Sequence, residues 1–143
     1  MSVEFIKTVV QGARILVIDD NVTLANAFGK ALDLAGYRVS IAYDAATALE
    51  DIARQQPDAV VLDLQMPLIN GAGFLYRFRS NAALADIPVL VVTGQLVTDE
   101  LQAELRDLKA PVMRKPVGIA ELVTAIRRLL NEQDIHAERP GDH

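Results

Sequence analysis

The sequence predicts an α/β domain built on a five-stranded parallel sheet with helices on both faces. Short apolar runs rich in Val and Ile recur along the chain, Ile15-Leu16-Val17-Ile18, Ala59-Val60-Val61-Leu62 and Val89-Leu90-Val91-Val92 among them. These runs are continuous rather than alternating, as expected of strands covered on both faces in a parallel sheet. Stretches with apolar residues at helical spacing lie between them. Right-handed crossovers in such an alternation place helices on both sides of the sheet.

The first strand ends in Asp19-Asp20-Asn21. Leu24, Phe28, Ala31, Leu32 and Ala35 then share one helical face, and Gly36 is the stop signal. Arg38 to Ala42 alternates as a short second strand. Asp44 caps a helix expected to be buried through Ala45, Ala48, Leu49 and Ile52. Pro57-Asp58 introduces the third strand, which runs into Asp63. Pro67, Gly71 and Gly73 delay the next helix to about Asn70, with Phe74, Leu75 and Phe78 as its apolar face. The fourth strand ends in Thr93-Gly94, and Thr98 or Asp99 caps a helix carrying Leu101, Leu105 and Leu108. Pro111 opens the last strand, Val112-Met113-Arg114, which leads into Lys115-Pro116. Ile119, Leu122, Val123, Ile126, Leu129 and Leu130 form the clearest amphipathic stripe. Residues 14–131 thus read as one domain, 1–13 as an N-terminal extension and 132–143 as a polar, frayed tail.

With 143 residues, 51% of them apolar, the chain can bury a proper core. The absence of cysteine removes disulfides, thiolate metal sites and cysteine nucleophiles. A formal charge of −5 argues against nucleic acid as a direct partner. Met1 to Gln11 carries no signal-peptide pattern. No apolar stretch approaches the ~20 residues of a membrane span. The expectation is a soluble, cytoplasmic protein. Gly-Lys-Ser/Thr, GxGxxG and GxSxG patterns are absent, and His136 and His143 have no metal-ligand spacing.

The ends of parallel strands share one edge of a sheet, so Asp19, Asp20, Asp63, Thr93 and Lys115 are expected in one cleft. Singly, each has a plainer role: a helix cap, a loop opener, a strand-end turn, a surface lysine before a helix-starting proline. Together, three carboxylates, a hydroxyl and an ammonium suit a divalent cation and a phosphoryl group. Adjacent buried acids repel, and a hard cation such as Mg²⁺ relieves the repulsion. An ionised Asp63 can attack phosphorus once metal and ammonium have screened the incoming charge.

In order and combination, Ile18-Asp19-Asp20-Asn21, Leu62-Asp63-Leu64-Gln65-Met66-Pro67 with Gly71, Thr93-Gly94 and Lys115-Pro116 resemble the receiver domain of two-component response regulators, the CheY-like family. The resemblance covers roughly Arg14 to Asn131. It implies a three-layer flavodoxin-like fold with strand order 2-1-3-4-5. It further implies that Asp63 accepts a phosphoryl group from a histidine kinase or histidine phosphotransfer protein. Asp20, Asp63 and the backbone carbonyl of Gln65 would then hold Mg²⁺, with Asp19 acting largely through water. Thr93 would hydrogen-bond the phosphoryl group, Lys115 would pair with it, and the Lys115-Pro116 bond would be cis. By the same resemblance the chain is a switch rather than an enzyme, with only self-phosphorylation and autodephosphorylation expected. It would signal through altered binding of a downstream protein that the sequence does not name, and there is room for a homodimer.

Two positions depart from the family pattern. Val112 stands where an aromatic residue is usual, and Val117 follows Lys-Pro where an aromatic is common. The chemistry therefore looks intact while the read-out surface looks atypical. A stand-alone receiver and a segment of a larger regulator or hybrid kinase both fit. A haloacid-dehalogenase-like phosphatase also uses an Asp nucleophile and Mg²⁺, but wants an acid where Gln65 stands. An inactive, receiver-shaped interaction module is the third alternative.

Overall fold

Five strands and five helices alternate along the chain, in a computed structural model that describes residues 12–66 and 71–137, with side chains through Glu132. In order these are β1 (Arg14–Ile18), α1 (Val22–Leu34), β2 (Arg38–Ala42), α2 (Ala45–Arg54), β3 (Ala59–Leu62), α3 (Gly71–Ser80), β4 (Val89–Thr93), α4 (Asp99–Asp107), β5 (Val112–Arg114) and α5 (Ile119–Ala137). The strands form one sheet in the order β2-β1-β3-β4-β5, and every neighbouring pair is parallel. This is the flavodoxin-like arrangement that the sequence resemblance implies.

Alternate side chains of each strand feed two separate cores. Leu16, Ile18, Val60, Leu62, Val89 and Val91 pack with α2, α3 and α4 through Ala48, Ile52, Phe74, Leu75, Phe78 and Leu105. On the other face Ile15, Val17, Val61, Leu90 and Val92 pack with α1 and α5 through Phe28, Leu32, Leu122 and Ile126. The central strands are covered on both sides, which explains their uninterrupted apolar sequence.

The helix starts are set by side chains that satisfy otherwise unpaired backbone donors. Asn21 accepts from the Leu24 N–H at 3.0 Å, Asp44 from Thr47 at 2.7 Å and Thr98 from Leu101 at 3.1 Å. Gly36, with φ 102°, follows α1 as expected, since glycine carries no Cβ to oppose that conformation. Arg79 near the end of α3 donates to the carbonyls of Leu108, Ala85 and Ile87, at 2.8, 3.1 and 2.6 Å. It thereby ties the end of α4 to the turn before β4.

Three expectations change. Leu49 is 46% exposed, because α2 buries the line Ala45, Ala48 and Ile52 and Leu49 lies about 100° around the helix from Ala48. Ile119 is 51% exposed: it is the first residue of α5, and the burial is carried by Leu122, Ile126 and Leu130 further along. The last helix also runs past Asn131 to Ala137, into residues read from sequence as a frayed tail. Helix α3 is described from Gly71, and the expected start near Asn70 lies outside the described residues, as do 1–11 and 138–143.

Candidate functional site

The parallel ladder continues one residue beyond three strand ends, and this aligns the site. Ile18 pairs with Leu62 across β1 and β3, and the Asp63 N–H donates to the Ile18 carbonyl at 3.0 Å. Asp19 donates likewise to Ala42 at 3.1 Å, and Lys115 to Thr93 at 2.9 Å. Asp19, Asp63 and Lys115 therefore leave the sheet at one level of its C-terminal edge, where α/β sheets of this kind bind their ligands.

Asp19, Asp63 and Thr93 are the buried polar side chains among the described residues, at 3%, 4% and 0% exposure. Asp20 is exposed at the mouth. One carboxylate oxygen from each of Asp19, Asp20 and Asp63 lies within 4.8 Å of the others. The Lys115 ammonium sits between the two buried acids, donating to Asp19 Oδ2 at 2.9 Å and to Asp63 Oδ2 at 3.1 Å. Each acid uses its second oxygen locally: Asp19 Oδ1 accepts the Asn21 N–H at 2.9 Å, and Asp63 Oδ1 accepts the Gln65 N–H at 3.0 Å. The second contact is an Asx-type turn that fixes the chain just after Asp63. Thr93 Oγ1 accepts the Gln95 N–H at 3.2 Å. The Lys115-Pro116 bond is cis, as the resemblance implied.

Burial pushes the Asp19 carboxyl above its ordinary value, against the opposing pull of the Lys115 hydrogen bond and the Asn21 N–H. The negative charge of Asp63 adds to the rise. For Lys115, burial alone would lower the ammonium, but hydrogen bonds and charge from Asp19 and Asp63 outweigh it and hold the group above the usual lysine value. Three carboxylates against one ammonium leave an excess of negative charge at the mouth. That donor set, all hard carboxylate oxygens with one acid open to solvent, fits a small divalent cation that retains waters.

Every side chain singled out from the sequence thus lies at this edge. Asp19, Asp20, Asp63 and Lys115 converge directly, and Thr93 ends β4, the neighbour of β3. Gln65 follows Asp63 within the turn its N–H closes. Two features went unread in the sequence. Asn21 rather than an aspartate caps α1, leaving both acids of the first motif to the site. The Gln95 N–H occupies the Thr93 hydroxyl in a local turn two residues long, for which the threonine itself is the sequence signal.

The family model "Response regulator receiver domain" matches residues 15–127. Among curated proteins, the Response regulator MprA of Mycobacterium ulcerans (strain Agy99) is 34% identical over 129 residues, 90% of this chain and 55% of that protein. The Transcriptional regulatory protein PrrA of Mycobacterium leprae (strain TN) is 34% identical over 126 residues, 88% of this chain and 53% of that protein. The chain therefore spans about half the length of the curated relatives it matches. Among solved structures, a response regulator receiver domain protein (CheY-like) from Methanospirillum hungatei JF-1 superposes with a TM-score of 0.81 at 25% identity, covering 87% of this chain and 98% of that one. Chemotaxis protein CheY4 of Vibrio cholerae gives 0.76 at 25% identity, covering 82% and 98%.

Proposed function

The chain belongs to the response regulator receiver domain family, and on that premise we propose that Asp63 is the phosphoacceptor of a two-component switch. The observation that carries the reading is the Lys115 ammonium held against both Asp19 and Asp63, at 2.9 and 3.1 Å, in a pocket with a third acid at its mouth. Asp63 is buried with exposed Asp20 beside it, and its carboxylate is held by the Gln65 N–H. An oxygen of Asp63 forms the new bond to phosphorus as the bond from phosphorus to the donor breaks. The donor is a histidine nitrogen of a kinase or phosphotransfer protein, and that nitrogen keeps the electron pair.

Lys115 turns from the Asp63 carboxylate to the transferred group and offsets its charge. The Thr93 hydroxyl, at the end of the adjacent strand, donates to one phosphoryl oxygen. Asp19, Asp20, Asp63 and the Gln65 carbonyl would hold Mg²⁺, with Asp19 acting largely through water, and the bound ion would screen the acids from the incoming phosphoryl oxygens. The product is an altered surface that a downstream protein recognises. The chain turns over no external substrate.

Incubation with acetyl phosphate and Mg²⁺ is expected to add one phosphoryl group to the intact mass, and Asp63→Asn to abolish the gain. A gain that persists in Asp63→Asn would remove Asp63 from this role. Multiple turnover of a small phosphate ester would favour the phosphatase reading instead.

A further inference from the structure

Arg14 and Arg38 open β1 and β2 and stand directly opposite each other in the parallel register, at the sheet edge remote from Asp63. Register partners on parallel strands point to the same face, so two guanidinium groups share one side of the sheet. Leu16 and Ile18, at the same alternation as Arg14, place that side under α2 with Ala48 and Ile52. Ser40 lies on it too, with its Oγ 3.4 Å from a terminal nitrogen of Arg14. None of the ion pairs among the described residues includes Arg14 or Arg38. Asp58 accepts the Arg14 backbone N–H at 2.7 Å, and Asp51 on α2 is paired with Arg54 at 3.5 Å. Arg38 spends its Nε–H on the Gly12 carbonyl at 3.0 Å, and its two terminal amino groups have no partner among the described residues. The Arg14 Nε is the one fully buried side-chain polar atom among the described residues that has no hydrogen-bond partner.

We infer that Arg14 and Arg38 bind a phosphate-type oxyanion where β1 and β2 begin. Like charges set opposite each other on neighbouring strands repel, and a buried donor without an acceptor is costly. One anion relieves both. Donors of three side chains lie on this face: the two arginine forks and the Ser40 hydroxyl. A carboxylate offers two oxygens in one plane, whereas a tetrahedral phosphate presents oxygens in several directions and matches the fork of each arginine. Arg14 is half-buried and Arg38 is exposed on the edge strand β2, which leaves the anion an entry from solvent. The ligand class is inorganic phosphate or the phosphomonoester end of a small metabolite. Asp19 lies five residues beyond Arg14, about 16 Å at strand spacing, so this site and the one at Asp63 fill independently. The assignment of Asp63 is not at stake in it.

The test uses the full chain as Asp63→Asn, with chelator and no Mg²⁺, so that phosphate has no metal site to occupy. Inorganic phosphate and glycerol 3-phosphate are titrated at an ionic strength held constant with sodium chloride. The arginine Nε–Hε signals are followed by heteronuclear NMR, that of Arg14 being identified by its absence from Arg14→Lys. It is expected to shift saturably with at least one of the two ligands, and the tighter one identifies the source as free phosphate or ester. Arg38→Gln, a change at an exposed position, should weaken the binding at least tenfold. A shift that stays linear in concentration, or that sodium chloride alone reproduces, would overturn the site. So would an unchanged midpoint in Arg38→Gln. Thermal unfolding gives a second readout: phosphate should raise Tm above the matched chloride control, and Arg38→Gln should remove the gain. Equal Tm in the two salts would count against the site.

Discussion

Asp19 illustrates how a residue can be arranged for chemistry at a cost to stability. It is 3% exposed and its carboxyl is raised by burial even with Lys115 at 2.9 Å. A carboxyl raised in the folded state binds its proton more tightly there than in the unfolded chain, so stability falls as pH rises from 3.8 through the raised value. Asp19→Asn removes the buried charge and keeps the shape. It is expected to raise the urea midpoint at pH 7, with the gain disappearing below pH 3.8, where Asp19 is protonated in both states. A lower midpoint at pH 7 would mean that the Lys115 pair outweighs the burial. Asp44 is the opposite case. Its carboxyl is lowered chiefly by the Thr47 N–H that it caps. The stability it contributes is present above 3.8 and is lost as pH falls through the lowered value. Asp44→Asn should therefore have a lower urea midpoint than the parent at pH 6, with the difference shrinking as pH falls from 3.8 through that lowered value.

At the scale of elements, the approach of α3 to the end of β3 sets how the acceptor loop is held. The Gly71 N–H bonds the Leu64 carbonyl at 3.2 Å, and a Cβ at Gly71 would lie 2.4 Å from Leu64 Cα. That neighbour is backbone and cannot swing aside. Gly71→Ala is thus expected to cost about 2 kcal/mol or more in chemical denaturation. It should also slow phosphorylation from acetyl phosphate, because the displaced backbone belongs to Asp63 and Leu64. Gly94→Ala is the comparison: its Cβ would meet the Gln65 side chain only at ordinary contact distance, 3.5 Å, so stability should change little. A Gly71→Ala protein as stable as the parent would show that α3 can shift away from the loop.

For the molecule as a whole, the sheet edge concentrates negative charge that the fold alone does not neutralise. A divalent cation bound by the folded state and not by the unfolded chain raises stability by mass action, about 1.4 kcal/mol at ten times its Kd. For a domain of this size that is roughly 3–6 °C in Tm. Mg²⁺ at millimolar concentration should produce such a rise in the parent, and Asp20→Asn should reduce it, since Asp20 is the exposed member of the cluster. No response in the parent would speak against an assembled cation site. Among the described residues no helix is long and apolar enough to cross a membrane.

The layered architecture was legible because burial on both faces forces continuous apolar strands, and Ile15–Ile18 and Val89–Val92 admit few other readings. The site was legible for a related reason: reactive residues sit directly after those runs, and parallel strands must end together. Leu49 and Ile119 were misread because a hydrophobic residue on the flank or first turn of a helix looks the same in sequence as one beneath it. What was decided only in three dimensions is which partner each polar atom takes. Lys115 lies 52 residues from Asp63 and 96 from Asp19, and the ladder register alone brings its ammonium between them. The cavity between Tyr76 and Arg77 of α3 and Leu101 and Glu104 of α4 depends likewise on how those helices pack. Periodicity records which way a residue faces, whereas hydrogen-bond partners and cavities depend on distances between elements far apart in the chain.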